Sequence, residues 1–183
     1  MAVGLGAQVT ILDVSTARLE YLDDIFQGRC QTLFSNAKNI EDSVRESDLV
    51  VGGVLITGQK APTLVSKELI SQMSRGSVVV DVAVDQGGCI ETCKPTSHTA
   101  PTYEVDGVIH YCVPNMPGVV PRTSTYALTN VTLKYASMLA AMGVEDAIAK
   151  NKPLMKGLNV YGGYVCYEPV AKDLGMEYRP YKI

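Results

Sequence analysis

Two carboxylates stand four residues apart beside paired glycines, in the stretch VVVDVAVDQGG at residues 78–88. An apolar run there leads into Asp81 and Asp85, and Gly87 and Gly88 follow. Ligands of open α/β sheets bind at the carboxyl ends of strands, and glycine lets backbone approach a ligand closely. The pattern therefore indicates acidic groups that contact a bound ligand. The spacing leaves open the alternative that both carboxylates are structural caps of the loop.

A third acid, Asp13, ends an apolar, β-branched run at residues 8–13. In a dinucleotide-binding fold, an acid at the end of the second strand accepts hydrogen bonds from the adenosine ribose and favours NAD over NADP. The glycine-rich loop that normally precedes it is absent, because Gly4 and Gly6 lie before a strand instead of after one. Asp13 alone is therefore either a ribose ligand or a turn residue at a strand end.

The dipeptide Asn115-Met116 follows the last apolar strand and is the remaining polar feature at a strand end. An amide beside a methionine suits contact with a flat ring, whereas an asparagine-initiated turn is the alternative. We expect His110, inside a strand, to be a hydrogen-bonded structural residue, and His98, in a Pro- and Thr-rich loop, to be solvated. The five cysteines have irregular spacing, which favours reduced thiols and predicts no metal site.

These residues must be positioned by alternating strands and helices. The sequence predicts five strands, at residues 8–13, 31–34, 49–55, 77–81 and 108–113. It predicts three helices between them, at residues 16–26, 40–46 and 66–73. Continuous apolar strands separated by helices predict an α/β fold with a parallel sheet covered on both faces. A long helix is predicted from Ser124 to about Met142, with Gly143 as its end. A tyrosine- and glycine-rich tail follows, with a helix near residues 169–174.

Length and composition exclude several classes of protein. The chain has 183 residues, a net charge of −3 and 46% apolar residues, which fits one globular domain or one domain with part of a second. The chain has no basic stripe of the kind that predicts nucleic-acid binding. No apolar run approaches the roughly 18 residues of a membrane span, and Met1–Gly6 lacks the features of a signal peptide. We therefore expect a cytoplasmic protein that binds neither nucleic acid nor membranes.

Long segments of the chain resemble one family. The segments are GAQVTILDV, GQKAPTLVS, DVAVDQGGCIE, PTYEVDGVIHYCVPNMPG, VPRTSTYALTN and KGLNVYGGYVCYEPVAKDLGMEYRPY. They are similar to alanine dehydrogenases, which are related to the alpha subunit of nicotinamide nucleotide transhydrogenase. The resemblance covers essentially the whole chain. It implies NAD-dependent interconversion of L-alanine with pyruvate and ammonia, in a homo-oligomer that is commonly a hexamer.

The resemblance also implies roles for individual residues. Asp13 matches the ribose-binding acid and Ser35 a position near the adenine. Asp85 matches the active-site carboxylate near the reacting carbon. Further positions would line the cofactor cleft or lie beside the nicotinamide and substrate: Val54, Leu55 and Leu64 for the cleft, Asn115 and Met116 for the nicotinamide.

Family members carry an additional N-terminal half, with a catalytic Lys, a catalytic His and the first Rossmann strand with its glycine-rich loop. The resemblance therefore implies a truncated Rossmann-type sheet at residues 1–122. It implies a long helix and the C-terminal part of the substrate domain at residues 123–183. Without the first strand, its two neighbours would either flank a gap or pair directly.

We expect the isolated chain to be inactive and to associate with itself or with a complementing N-terminal fragment. Two alternatives stay open at this point. One is a fragment of a transhydrogenase alpha subunit, and the other is a non-catalytic nucleotide-binding or oligomerisation remnant.

Overall fold

The structure is a computed structural model that describes residues 1–181. The chain forms two compact units. The first comprises Met1–Val54 and Pro62–Pro114, and the second comprises Leu55–Ala61 together with the chain from Asn115 onward. The last two residues of the predicted 123–183 region lie outside the described residues.

The first unit holds six strands and three helices. The strands are β1 (Thr10–Asp13), β2 (Gln31–Phe34), β3 (Leu49–Gly52), β4 (Val78–Asp81), β5 (Thr102–Val105) and β6 (Val108–Tyr111). The helices are α1 (Thr16–Phe26), α2 (Ala37–Glu46) and α3 (Lys67–Ile70). Every element that the sequence predicts in this unit is present, and α1 and β2 have the predicted bounds. The helices begin at side-chain caps, since Ser15, Asn36 and Ser66 each accept a backbone N–H of the first turn.

The strands form two separate sheets. β1 and β2 pair in parallel, and the second sheet has the order β3-β4-β6-β5. β3, β4 and β6 run parallel, so Gly52, Asp81 and Tyr111 end at the same edge. Within residues 1–181, β1 does not pair with β3. Of the two arrangements expected without a first strand, direct pairing is therefore wrong, and β1 and β3 stay apart.

Strand β5 has no counterpart in the sequence prediction. It pairs antiparallel with β6 through the two-residue turn Asp106-Gly107, whose φ values are 53° and 84°. An Asp-Gly pair between β-branched runs is a strong signal for such a hairpin, because both turn residues need positive φ. The expectation of an all-parallel sheet is therefore wrong at this edge.

The core of the first unit lies against the four-stranded sheet. Val79 on β4 and Val108 on β6 are fully buried, together with Ile70 of α3. These side chains come from the continuous apolar runs that the sequence marks as buried strands, and their burial is the main favourable term in forming this sheet.

The second unit is built on a long helix, α4 (Pro121–Lys150), which Gly143 divides by adopting φ 79° and ψ 171°. Gly143 thus ends the first helical segment as the sequence predicts, but that segment begins at Pro121, earlier than Ser124. The shorter elements that follow are α5 (Lys152–Lys156), β7 (Val160–Tyr161), β8 (Tyr164–Val165) and α6 (Glu168–Leu174). β7 and β8 form an antiparallel hairpin.

Few side chains of the second unit are buried. Its buried apolar residues are Ala147, Ile148, Val165, Ala171 and Ala61, whereas Leu128 and Val131 of α4 are about 60% exposed. Apolar side chains of α4 are therefore uncovered in this unit. Within the described residues, no helix is both long and apolar enough to cross a membrane.

Candidate active site

The carboxylate of Asp81 holds the loop that follows β4. Asp81 is fully buried at the carboxyl end of the strand. Its Oδ1 accepts the backbone N–H of Ala83 at 3.0 Å, and its Oδ2 accepts those of Cys89 at 2.9 Å and Ile90 at 3.1 Å. A buried carboxylate that accepts three amides satisfies donors which the turn leaves without main-chain partners. Asp81 is thus the structural cap that the sequence left open as an alternative.

The loop itself is a single 3₁₀ turn, Val84–Gln86. The N–H groups of Gln86 and Gly88 both donate to the carbonyl of Ala83, at 2.8 and 3.0 Å. Gly88 has φ 72°, and a Cβ there would lie 2.9 Å from Asp81 Oδ2. The room at Gly88 is therefore taken by the Asp81 carboxylate.

Asp85 differs from Asp81 in its burial and in its contacts. It lies inside the 3₁₀ turn, its side chain is exposed, and it makes no hydrogen bond or ion pair to the described residues. The two acids of this motif thus have different roles. Asp81 fixes the turn, and Asp85 lies exposed on it. A free carboxylate on a rigid turn at the carboxyl end of a parallel strand can bind a cationic or hydrogen-bond-donating ligand.

Cys89 connects this turn to the neighbouring segments. Its carbonyl accepts the N–H of Leu64 at 2.8 Å, and the backbone of Val54 lies near its thiol. Burial, followed by the charge of Asp81, raises the pKa of the Cys89 thiol to about 11. The structure therefore brings two of the predicted cleft residues, Val54 and Leu64, to the segment that Asp81 holds.

Asp13 and Ser35 lie together at the ends of β1 and β2. The N–H of Ser35 donates to the Asp13 carbonyl at 2.9 Å, and the N–H of Ser15 donates to Asp13 Oδ1 at 2.7 Å. Within the described residues, Asp13 Oδ2 has no partner. One oxygen thus serves the strand-end turn and the other is available to a hydroxyl group. This arrangement fits the ribose side of a dinucleotide.

The remaining predicted residues belong to the second unit. Leu55 is 67% exposed. Asn115 is exposed in the left-handed region, with φ 54° and ψ 49°, and Met116 begins the 3₁₀ turn Met116–Val119. Gly118 donates its N–H to the Asn115 carbonyl at 2.9 Å, so the turn is closed by the main chain. The Asn115 side chain makes no capping bond and is free to contact a ligand.

His110 is a buried structural residue, as the sequence predicts. Its Nδ1 lies 2.9 Å from the Val108 carbonyl and its Nε2 lies 2.7 Å from Thr92 Oγ1. Since a carbonyl accepts only, Nδ1 carries the proton and the Thr92 hydroxyl donates to Nε2. His98 is exposed. The five cysteines are free thiols, and among residues 1–181 no group of three His, Cys, Asp or Glu side chains is placed to hold a metal ion.

One residue of this region, Tyr103, has no counterpart in the sequence prediction. The hydroxyl of Tyr103 contacts the Thr92 carbonyl, the Lys94 amide and the Cys112 thiol at 2.8, 2.6 and 3.8 Å. No local pattern marks Tyr103, because its partners come from the loop before β5 and from the end of β6.

Comparisons with known proteins show the family of the chain. The family model described as Alanine dehydrogenase/PNT, C-terminal domain, matches residues 1–168. An alanine dehydrogenase of Bacillus subtilis is 58% identical over 181 residues, which are 98% of this chain and 48% of the relative. The chain thus spans about half the length of the curated relatives it matches.

Solved structures give the same result. A structure of L-alanine dehydrogenase matches 96% of this chain and 48% of its own, with 53% identity and a TM-score of 0.83. The transhydrogenase of Sinorhizobium meliloti matches 90% of this chain and 44% of its own, with 28% identity and a TM-score of 0.66. On its sequence and on its fold, this chain belongs to the alanine dehydrogenase/PNT family and corresponds to the C-terminal domain of that family.

Proposed function

We propose that the chain supplies the C-terminal half of an NAD-dependent L-alanine dehydrogenase, which converts L-alanine, NAD⁺ and water into pyruvate, ammonium and NADH, and the reverse. The observation that carries this proposal is 58% identity to an alanine dehydrogenase over 98% of the chain. Bound NAD⁺ would supply the acceptor for the hydride that leaves the α-carbon of alanine.

Asp13 is the residue of this chain best placed to hold the cofactor. Its unpartnered Oδ2 would accept a ribose hydroxyl, while Oδ1 remains fixed by the Ser15 amide. Ser35 would lie near the adenine, since its amide bonds to the Asp13 carbonyl. A carboxylate at this position repels a 2′-phosphate, so the chain would favour NAD over NADP.

Asp85 is the residue we assign to the chemistry. Its exposed carboxylate would bind the amino group of alanine in one direction and hold ammonia near the carbonyl carbon in the other. Asp81 positions it by fixing the main chain on both sides of the turn. Val54, Leu55 and Leu64 would line the cofactor cleft, and Asn115 and Met116 would contact the nicotinamide and the substrate.

The separation of β1 from β3 supports the proposal that further polypeptide supplies a strand between them. Both strands have an edge without a partner in the described chain, and the β3 residues Leu49 and Val51 are 55% and 60% exposed. Exposed apolar side chains on a strand favour covering by further polypeptide. We propose that the N-terminal half present in the relatives covers them, either in the same polypeptide or as a second fragment.

The arrangement of the complete protein follows from this assignment. Residues 1–122 would belong to the NAD-binding domain and residues 123–183 to the long helix and the substrate domain. We propose a homo-oligomeric, cytoplasmic enzyme whose small-molecule substrates are L-alanine, pyruvate and ammonia. A transhydrogenase subunit is the weaker candidate, because identity to that structure is 28%, against 53% for L-alanine dehydrogenase.

A fusion protein tests the proposal. The N-terminal half of the Bacillus subtilis relative is joined to residues 1–183, and alanine-dependent formation of NADH is measured by absorbance. We expect activity from the fusion and none from the 183-residue chain alone. Asp85→Asn in the fusion should lower kcat by about 100-fold or more, since it removes a positioned charged group. Asp24→Asn, an exposed aspartate on α1, is the matched control and should leave kcat unchanged.

The possible results separate the candidate functions. A folded fusion that lacks alanine-dependent activity but reduces NAD⁺ with NADPH as the hydride donor would contradict the assignment and favour a transhydrogenase. A folded fusion with no activity would favour a non-catalytic remnant. Near-normal turnover of Asp85→Asn would remove Asp85 from the mechanism while leaving the family assignment intact.

A further inference from the structure

The 55–61 loop, between β3 and α3, belongs to the second unit, whereas the chain on both sides of it belongs to the first. The loop contains a tight turn, in which the N–H of Gln59 donates to the carbonyl of Ile56 at 3.1 Å. Gly58 occupies the third position of this turn with φ 75°, a conformation that favours glycine. The turn sets the shape of the loop, and contacts with the rest of the second unit set its place.

The first of these contacts joins Gly58 to Tyr167, the residue that precedes α6. A Cβ atom placed on Gly58 would lie 2.5 Å from Tyr167 Cε1 and 3.0 Å from Tyr167 Cδ1. These distances are shorter than van der Waals contact between carbon atoms. Only a residue without a side chain therefore lets the turn approach the ring this closely, and the edge of the Tyr167 ring lies directly against the main chain of the loop.

Asp173, in the last turn of α6, holds the loop at a second point. Its Oδ1 accepts the backbone N–H of Lys60 at 3.3 Å, and a charged acceptor strengthens such a bond. Tyr167 and Asp173 stand at the two ends of α6, about 9 Å apart along a helix axis. A loop that is held at two separated points can neither slide nor rotate freely, so α6 fixes both its position and its orientation.

Helix α6 is in turn fixed to the hairpin of β7 and β8. The N–H of Cys166, just before the helix, donates to the Asn159 carbonyl at 2.8 Å. The N–H of Arg179, after the helix, donates to the Val165 carbonyl at 2.8 Å. Ala171, in the middle of the helix, is buried. Because main-chain bonds hold the chain on both sides of it, α6 is a firm support for the 55–61 loop.

The larger apolar side chains of the loop do not hold it in place. Leu55 and Ile56 are both exposed among the described residues, and only Ala61, at the end of the loop, is buried there. Burial of apolar surface, the usual force that orders a segment, therefore contributes little at the start of the loop. The contacts of Gly58 and Lys60 with α6 supply the restraint, and the Leu55 side chain stays free to contact a ligand.

We propose that Tyr167 and Asp173 are positioning residues for the nicotinamide cofactor and act through the 55–61 loop. This inference rests on the proposed function, in which Leu55 lines the cofactor cleft. NAD binds to a loop that α6 has already ordered, so binding does not have to supply the entropic cost of ordering it. Release of the loop from α6 weakens cofactor binding, although it removes no group that contacts the substrate or the reacting atoms.

Amide exchange in the 183-residue chain tests the contact between the loop and α6. Heteronuclear NMR follows the exchange of the Lys60 amide, which donates to Asp173. Asp173→Ala should speed this exchange about fivefold, since it removes the acceptor of one hydrogen bond. Asp173→Asn keeps an acceptor oxygen and should restore the protection. The amide of Arg179 reports on the support of α6 and should exchange at its parent rate in both variants.

Cofactor binding by the fusion protein tests the positioning role. The dissociation constant for NADH is measured by the fluorescence of NADH, and kcat and both KM values are measured in parallel. Asp173→Ala should raise Kd for NADH and KM for NAD about fivefold. Both kcat and KM for alanine should stay within about twofold of the parent, the pattern expected when only binding of the cofactor is weakened. Asp173→Asn should bind NADH as the parent does.

Gly58→Ala tests the second contact, and Gly163→Ala is its matched control. Both glycines have positive φ, 75° and 84°, but a Cβ at Gly163 meets nothing within 4 Å. Gly58→Ala should raise Kd for NADH about fivefold or more, since the loop must move away from Tyr167. Gly163→Ala should leave this Kd unchanged. Tyr167→Phe retains the ring edge that contacts Gly58 and should also bind NADH as the parent does.

The results distinguish failure of this inference from failure of the proposed function. Unchanged exchange of Lys60 in Asp173→Ala would overturn the contact with α6. Faster exchange with unchanged NADH binding by the Asp173→Ala and Gly58→Ala fusions would overturn the positioning role and leave the proposed function intact. Equal effects of Gly58→Ala and Gly163→Ala would assign the effect to backbone strain and contradict the role of Tyr167. A fusion that does not bind NADH would contradict the proposed function, and the positioning role would fail with it.

Discussion

The carboxylate of Asp81 lies 2.9 Å from the backbone nitrogen of Cys89, eight residues further along the chain. The same carboxylate also accepts the amides of Ala83 and Ile90. These bonds close the loop that carries Asp85, so the position of the exposed Asp85 depends on the buried Asp81. Two predictions concern this loop, and two others concern His110 and Asp13.

Asp81→Asn should destabilise the first unit. The asparagine has one acceptor oxygen, and its NH₂ group would face an amide N–H that also needs an acceptor. We expect a loss of about 2–4 kcal/mol in the free energy of unfolding, since buried donors lose their partner. Urea unfolding followed by circular dichroism measures it. Asp24→Asn should stay within about 0.5 kcal/mol of the parent chain, and an equal loss in both variants would contradict the capping role.

Gly88→Ala should be more harmful than Gly76→Ala. Both glycines have positive φ, 72° and 86°, so both substitutions carry the same kind of backbone strain. A Cβ at Gly88 would also meet Asp81 Oδ2 at 2.9 Å, whereas a Cβ at Gly76 meets nothing within 4 Å. We expect an additional loss of about 1–3 kcal/mol at Gly88, measured by urea unfolding. Equal losses would show that Asp81 does not need this space.

Stability should fall as the pH drops below about 6.5. Burial lowers the pKa of His110 from 6.5, against smaller opposing effects of the Val108 carbonyl and Asp106. The unfolded chain therefore binds more protons than the folded one in this range. The contribution of neutral His110 is complete above 6.5 and is lost as the pH falls toward the folded pKa.

Because the chain has two histidines, the pH dependence can be assigned to one of them by substituting each in turn. Urea midpoints are measured between pH 7.5 and 5.5 for His98→Gln and for His110→Gln. The exposed His98 should be replaceable without changing the slope of stability against pH, whereas the His110 variant should lose most of the slope. A slope that survives in His110→Gln would assign it to other groups.

Asp13→Ala should weaken the use of NAD in the fusion protein. The substitution removes the oxygen that we assign to the ribose, so KM for NAD should rise roughly tenfold, the size of one hydrogen bond to a charged group. KM for alanine should not change, and activity with NADP relative to NAD should increase because repulsion of the 2′-phosphate is lost. Steady-state kinetics with both cofactors checks this. An unchanged cofactor ratio would leave Asp13 as a turn residue only.

The sequence predicts most of the elements because their signals are local. The caps Ser15, Asn36 and Ser66 and the apolar runs of β4 and β6 each act within a few residues. β3 is shorter than predicted because pairing partners, and not apolar character, decide where a strand ends. α3 is also shorter than predicted. β5 is not predicted, because its residues lie in a Thr- and Pro-rich region, although Asp106-Gly107 marks the turn.

The candidate site is less accessible to sequence reasoning. One motif suggested two equivalent acids, and only the fold separates the fully buried Asp81 from the exposed Asp85, since burial depends on segments far along the chain. The hydroxyl of Tyr103 joins Thr92 and Lys94 of the loop before β5 to Cys112 at the end of β6. Contacts between segments that are separated in the sequence produce no periodicity or spacing from which they could be predicted.

The Asp106-Gly107 turn bears on the order of folding. A two-residue turn needs little loop-closure entropy, and hairpins of this kind form within microseconds. β4 must instead find β6 across a long connection, and β3 must then find β4. The β5–β6 hairpin is therefore the expected nucleus of the four-stranded sheet, and kinetic experiments should find its contacts formed in the transition state before those of β3.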